Sequence, residues 1–177
     1  MDERFIMVID KYIYNRCVSI LDKSGFAYSA RDIEALEFAD FGLGRPLEEG
    51  AQIMTLENTD RLAVKIIILL PQQILPEHRH VNVGNVKAKQ ELLRIFWGLV
   101  DVYTQEENFE TDLPVPECSR PYYTCKTKIS LSQAEQLLIE PPDPHWFKAG
   151  DEGCVILSIS TTAHDAKDIF TNPNIKR

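Results

Sequence analysis

Apolar side chains recur at gaps of three and four over residues 4–23, at Phe5, Ile9, Tyr12, Ile13, Cys17, Ile20 and Leu21. That spacing lays one apolar stripe along an amphipathic helix, and Gly25 supplies a plausible stop. Ser29-Ala30-Arg31-Asp32 has the form of a capping motif opening a short helix that runs to about Leu36. Asp40-Phe41-Gly42-Leu43-Gly44 reads as a turn region. From Gly50 onward the texture changes to short apolar or alternating runs separated by turn residues. The candidate strands are Gln52–Leu56, Ala63–Leu70, Leu93–Tyr103, Tyr122–Ile129, Gln136–Ile139 and Gly153–Ser160. Many short strands with turns between them predict a sandwich or barrel. Glu106–Cys118 is polar and proline-containing, which predicts a long loop, and the tail from Asp168 to Arg177 can pack on the body through Ile169 and Phe170. There is no internal repeat, linker or low-complexity stretch, so the reading is one domain. It has a helical segment over 1–45, a barrel over 50–165 and a C-terminal tail over 166–177.

Composition narrows the partners more than the fold. A chain of 177 residues with 44% apolar and 26% charged residues is ordinary for a globular protein and long enough to bury a core without disulfides. A net charge of −8 and a pI near 5.0 repel nucleic-acid phosphates, and no Lys/Arg run offsets this. Met1-Asp2-Glu3-Arg4 does not open a secretory signal. The run Ile66-Ile67-Ile68-Leu69-Leu70 is too short to span a bilayer. Neither nucleic acid nor membrane is therefore expected as a partner. Cys17, Cys118, Cys125 and Cys154 show no Cys-x-x-Cys spacing and read as buried or loop thiols of a reducing compartment, the cytoplasm. A Cys118–Cys125 bridge is sterically conceivable and disfavoured.

The candidate chemistry lies in the middle of the chain. His78 and His80 are one residue apart, and alternate residues of a strand share a face. The segment Val81–Ala88, with Gly84 and Asn85, would form a turn to a second strand carrying Glu91. Lys89 would share a face with Glu91 if that strand has begun. A fourth ligand is best supplied by His145, whose approach is stiffened by Pro141-Pro142-Asp143-Pro144. His164 is the remaining histidine and falls in a surface-like polar segment. Three histidines and a carboxylate with open positions suit Mn²⁺, Fe²⁺, Co²⁺, Ni²⁺ or Zn²⁺, and the absence of thiolate disfavours a closed structural zinc. An open site of this kind acts as a Lewis acid on carbonyl or hydroxyl oxygens. The plainer alternative makes His78 and His80 loop residues and His145 a hydrogen-bonded core histidine; the joint pattern favours the metal site. Lys65 lies within an apolar strand and can face either the interior or an edge. Trp97 and Trp146 read as core. Ser158, Ser160, Thr161 and Thr162 make a hydroxyl-rich strand end without a nucleophile elbow, and no phosphate-cradling glycine loop is present.

At these residues the chain resembles the cupin superfamily, which places His-x-His, a Glu, a Gly seven residues later and a third His in a later strand. Here those are His78, His80, Glu91, Gly98 and His145. The glycine commonly found before the first histidine is missing, with Gln72 in that neighbourhood. More narrowly the chain resembles the D-lyxose isomerase family over nearly its whole length. The shared motifs are residues 39–44, Asn58-Thr59-Asp60-Arg61, Pro76-Glu77-His78-Arg79-His80, Lys89-Gln90-Glu91, residues 145–150 with Gly153, and residues 168–173. The resemblance implies a jelly-roll β-barrel with N-terminal helices. It implies metal ligation by His78, His80, Glu91 and His145, manganese as the ion, and Lys89 and Glu91 as catalytic residues. It further implies a monosaccharide substrate and a homodimer. The implied reaction is D-lyxose to D-xylulose, with D-mannose to D-fructose as a second, through a cis-enediol. The chain departs from the family at Val81-Asn82, at Ala88, and at Ser158, where the family carries an acidic residue. Serine is no carboxylate base at neutral pH, so a diverged or non-catalytic sugar-binding cupin is the alternative. A ferrous dioxygenase using the same ligands is a third reading.

Overall fold

The computed structural model describes residues 3–105, 112–161 and 163–176, with side chains from residue 10 onward. Two helices, α1 (Glu3–Ser24) and α2 (Ala30–Glu34), precede nine strands. These are β1 (Glu37–Ala39), β2 (Ala51–Asn58), β3 (Ala63–Leu69), β4 (Ile74–Arg79), β5 (Glu91–Thr104), β6 (Thr127–Ser132), β7 (Gln136–Ile139), β8 (His145–Ser160) and β9 (Ile169–Phe170). They form one antiparallel sheet in the order β1-β2-β3-β8-β4-β9, and β5 pairs with β6, β7 and β8. β8 is the seam: its 16 residues pair with β3 at one end, β4 at the other and β5 along nearly the whole length. The sheet curls on itself into a cupin-like, mainly β barrel with few helices.

Strand parity sorts the side chains into two cores. On β3, Ile67 and Leu69 join Ile53, Leu93, Ile95, Phe147, Cys154 and Ile156 in one cluster, the barrel interior. The alternate residues Ile66 and Ile68 face outward, where Ile13, Cys17, Ile20 and Leu21 of α1 cover them together with Met54 and Val155. A strand covered on both faces reads as a continuous apolar run rather than an alternating one, which is the pattern of Ala63–Leu69. The buried positions of α1 keep the expected spacing, while Tyr12 turns out to solvent at 51% exposure; the side chains of Phe5 and Ile9 lie outside the described residues. Ser29 and Asp32 form the full reciprocal capping box of α2.

The strands differ from the sequence reading at identifiable points. β5 begins at Glu91, two residues before the apolar run at Leu93, and β8 begins at His145 rather than Gly153, because Gly150 and Gly153 are accommodated inside the strand. Gly98 (φ 81) opposes β8 at a bulge, and a Cβ there would stand 2.3 Å from the carbonyl oxygen of Gly153. The expected Tyr122–Ile129 strand starts only at Thr127, since Arg120–Tyr122, with Pro121, forms a 3₁₀ turn. β1 and β9 are too short to show a period, and both join the sheet. Gln72, where a cupin glycine is usual, adopts φ 61, so the left-handed turn is kept without glycine. Of the loop read over Glu106–Cys118, residues 106–111 lie outside the described residues, as does Thr162; residues 112–118 carry no helix or strand. Leu113 and Val115 pack with Tyr103, Tyr123 and Trp146 in a third cluster. Trp146 stacks on Tyr103 with ring centroids 3.7 Å apart and donates its indole N–H to the Cys125 carbonyl at 3.0 Å, so it is core.

Candidate metal centre

His78 lies near the end of β4 and His80 one residue beyond it; both are buried while Arg79 between them is exposed, the same-face geometry read from the sequence. Across the sheet His78 is the register partner of His145, the first residue of β8. The three imidazoles converge: their centroids are 4.4 Å (His78–His145), 5.0 Å (His80–His145) and 5.5 Å (His78–His80) apart. One ring nitrogen from each lies within 4.8 Å of the others.

The ring orientations are fixed from behind. Each Nδ1–H donates to a backbone carbonyl: His78 to Pro76 at 2.9 Å, His80 to Lys89 at 3.2 Å and His145 to Asp143 at 2.9 Å. That sets the tautomer and leaves every Nε2 as a lone-pair donor. The Nε2 atoms of His80 and His145 are buried without a hydrogen-bond partner among the described residues. Buried polar atoms are rarely left so, and two aimed at one point fit a cation. Burial, with the neighbouring imidazoles, drives the His78 pKa well down. Burial and the Lys89 charge push His80 down to about 3, and burial lowers His145. All three rings are therefore neutral around pH 7, the form that binds metal.

Glu91, at the head of β5, stands beside this triad with Oε2 3.4 Å from His80 Nε2. Its other oxygen, Oε1, accepts a hydrogen bond from Ser158. Burial alone would raise its pKa, but Lys89, His80 and the Ser158 hydroxyl outweigh that and hold it low. The turn between His80 and Glu91 closes through the Val83–Val86 bridge, with Gly84 and Asn85 at its tip. Lys89 is buried on the same side as Glu91, with Gln90 exposed between them. His164 is exposed and apart from the triad, as read.

Three further charged groups reach the same cavity: Lys65, whose facing the sequence leaves open, and Asp165 and Asp168, which the sequence does not assign to a site. Parity along β3 turns Lys65 inward with Ile67 and Leu69, resolving its two alternatives in favour of the interior. A 3₁₀ turn at Asp165–Lys167 and the following β9 bring in Asp165 and Asp168. Asp165 pairs with Lys65 and with Lys89 (2.9 Å), and Asp168 lies 3.5 Å from Lys89. Burial raises Asp165, but the two ammonium groups overcome it and hold the carboxyl far below its usual range. Lys89 is held above its usual range because Glu91, Asp165 and Asp168 outweigh its burial. Burial, augmented by Asp165 and Glu91, raises Asp168 to about 6 against the pull of Lys89. The cavity, about 430 Å³ including its open mouth, is walled on the apolar side by Phe41, Ile53, Phe147 and Phe170.

The tail is clasped onto the site. The buried Glu77 carboxylate accepts hydrogen bonds from Thr124 N (2.7 Å), Thr124 Oγ1 (2.8 Å), Cys125 N (2.8 Å) and Thr171 Oγ1 (2.7 Å), tying the loop and the tail to the strand that carries His78. Phe170 pairs in register with His78 and packs on Phe41 at 5.4 Å, while Ile169 points out at 44% exposure. The tail therefore docks through Phe170 alone of the two side chains read for it.

A curled β barrel with three buried imidazoles and an acid–lysine cluster on its inner wall is a cupin-like protein with a site able to hold a metal. No family model matches the chain. The D-lyxose ketol-isomerase of Cohnella laeviribosi is 39% identical over 164 residues, 92% of this chain and 90% of that protein. The D-lyxose/D-mannose isomerase of Thermosediminibacter oceani is 40% identical over 168 residues, 94% and 93% respectively. The chain belongs to the D-lyxose isomerase family, and it is a sugar isomerase, an intramolecular oxidoreductase. Among solved structures, the L-ribose isomerase of Acinetobacter sp. DL28 in complex with L-ribose superposes with a TM-score of 0.75 at 13% identity, covering 93% of this chain and 91% of that one. The L-ribose isomerase of Geodermatophilus obscurus gives 0.67 at 14%, covering 91% and 85%. At that identity the likeness speaks to the fold. No helix among the described residues is long and apolar enough to cross a membrane.

Proposed function

We propose that this protein interconverts D-lyxose and D-xylulose, and D-mannose and D-fructose as a second pair, with a divalent ion held by His78, His80, Glu91 and His145. Manganese is the ion expected from the family, and a homodimer in the cytoplasm the expected setting. The observation that carries the reading is the set of imidazoles whose Nδ1 atoms are spent on backbone carbonyls, leaving Nε2 atoms of His80 and His145 unpartnered in the interior of a family member's barrel. When bound, the ion supplies Lewis acidity toward two adjacent oxygens of an open-chain sugar and so acidifies the proton on C2.

The chain's own residues do the rest. Lys89, held fully protonated by Glu91 and the aspartates, stabilises negative charge that develops on a substrate oxygen. Glu91, ionised, orients against His80 and Ser158. The apolar wall of Phe41, Phe147 and Phe170 limits water near the reacting carbons. A panel of pentoses and hexoses incubated with the metal-loaded protein tests the reading. Conversion of D-lyxose is expected, and no conversion of any aldose would end it. Ser158, which gives Glu91 a hydroxyl where the family has an acid, supports a second reading, a sugar-binding cupin without turnover. Calorimetric sugar binding in the absence of any conversion would select it.

A further inference from the structure

Isomerisation of an aldose needs a group that takes a proton from one carbon and returns it to the next, and Ser158 cannot be that group. Among the described residues, three carboxylates reach the cavity: Glu91, Asp165 and Asp168. Glu91 accepts from Ser158 and stands against His80, on the side of the imidazole triad. Asp165 is engaged by two ammonium groups, those of Lys65 and Lys89. Asp168 is held more loosely, its Oδ2 lying 3.5 Å from Lys89 Nζ, beyond the ordinary N–H···O length. Its side chain is only 10% exposed, and it opens onto the cavity beside His78 and Glu91. It is also fixed in place, because the next two residues form β9, where Phe170 pairs with His78 and Ile169 with Arg79.

We propose that Asp168 is the catalytic residue that carries the proton between C2 and C1. This rests on the isomerase reading above. Asp168 takes the proton from C2 of the open-chain aldose as a C1=C2 double bond forms and the carbonyl π pair moves onto O1. The Lys89 ammonium keeps its proton and hydrogen-bonds to the charge on O1 of the resulting cis-enediolate. The hydrogen on O2 passes to O1 as C2=O forms, and the double-bond pair takes the proton from Asp168 at C1. The net change moves one hydrogen from C2 to C1 and one from O2 to O1, with no external oxidant or reductant.

The test compares the metal-loaded wild type with D168N and D168E, reading kcat, KM, metal content by elemental analysis and sugar affinity by calorimetry. Asp168→Asn is expected to lose about 10²–10⁴-fold in kcat while metal content and sugar affinity hold within about threefold. Asp168→Glu keeps a carboxylate and is expected to recover about tenfold or more over the Asn variant. If D168N does not accumulate folded, Asp168→Ala takes its place: a loss of about 10²-fold or more in kcat with metal content and sugar affinity held supports the assignment, and a kcat within about threefold of wild type overturns it. A D168N protein with kcat within about threefold of wild type overturns it, as does one that loses metal or sugar in step with kcat. Wild type inert toward every aldose would overturn the isomerase reading and the assignment with it, whereas an active D168N would overturn the assignment alone.

Discussion

The two ends of the barrel are built from the same strands by the same alternation and differ in what the alternation delivers. On β3 the inward side chains run Leu69, Ile67, Lys65; on β8 they run Cys154, Ile156, Ser158; on β5 they run Ile95, Leu93, Glu91. One end closes with aliphatic packing at near-zero exposure. The other begins where Lys65, Ser158 and Glu91 take inward positions on these strands, and where β4, β8 and the tail add His78, His145 and Asp168. Stability and chemistry are thereby separated along the barrel axis. The apolar end holds the strands in register, and the polar end uses that register to converge groups whose burial is unfavourable.

The comparison breaks first at the polar end. His145→Ala removes one imidazole of the triad, and activity should fall by about 10³-fold or more, a barrier increase of ~4 kcal/mol. Elemental analysis should show the metal lost, and circular dichroism should show the sheet retained. The counterpart is Ile156→Ala at the apolar end, where the side chain is fully buried. It should cost about 2–5 kcal/mol of stability by denaturant titration while activity per folded molecule is kept. If Ile156→Ala instead lowers kcat at constant stability, the two ends are not separate.

A smaller effect sharpens the same contrast. Asp168 has its carboxyl raised from 3.8 to about 6. Between roughly pH 4 and 6 the unfolded chain has released this proton while the folded chain keeps it, so stability from this group falls as pH rises through that window. Above it the wild type carries a penalty of about 3 kcal/mol that Asp168→Asn lacks. In metal-free protein the stability difference between D168N and wild type should therefore grow in favour of D168N from pH 4 to 7. A flat difference would mean that Asp168 is an ordinary carboxylate.

Much of this was legible in the sequence, for physical reasons that also explain what was not. His-x-His is visible because strand period and burial coincide there, and His145 because it follows a stiff proline run. The α1 stripe and the Ser29 capping box are local patterns and fold as local patterns. Lys65 was ambiguous because β3 is covered on both faces, so its apolar run carries no alternation from which to read parity. Asp165 and Asp168 were not placed at the site because they arrive by a single 3₁₀ turn and a two-residue strand, elements too short to show a period. What positions them is long-range: Phe170 against His78, and Thr171 on the buried Glu77.

The measurement that bears most directly on the metal-dependent isomerase account is conversion of D-lyxose by protein stripped with a chelator and then titrated with Mn²⁺, with bound metal counted in the same samples. The account predicts no conversion by the stripped protein and activity rising in proportion to metal bound, to a plateau at one ion per chain. Full conversion by the stripped protein, or metal binding at that stoichiometry without any conversion, would contradict it.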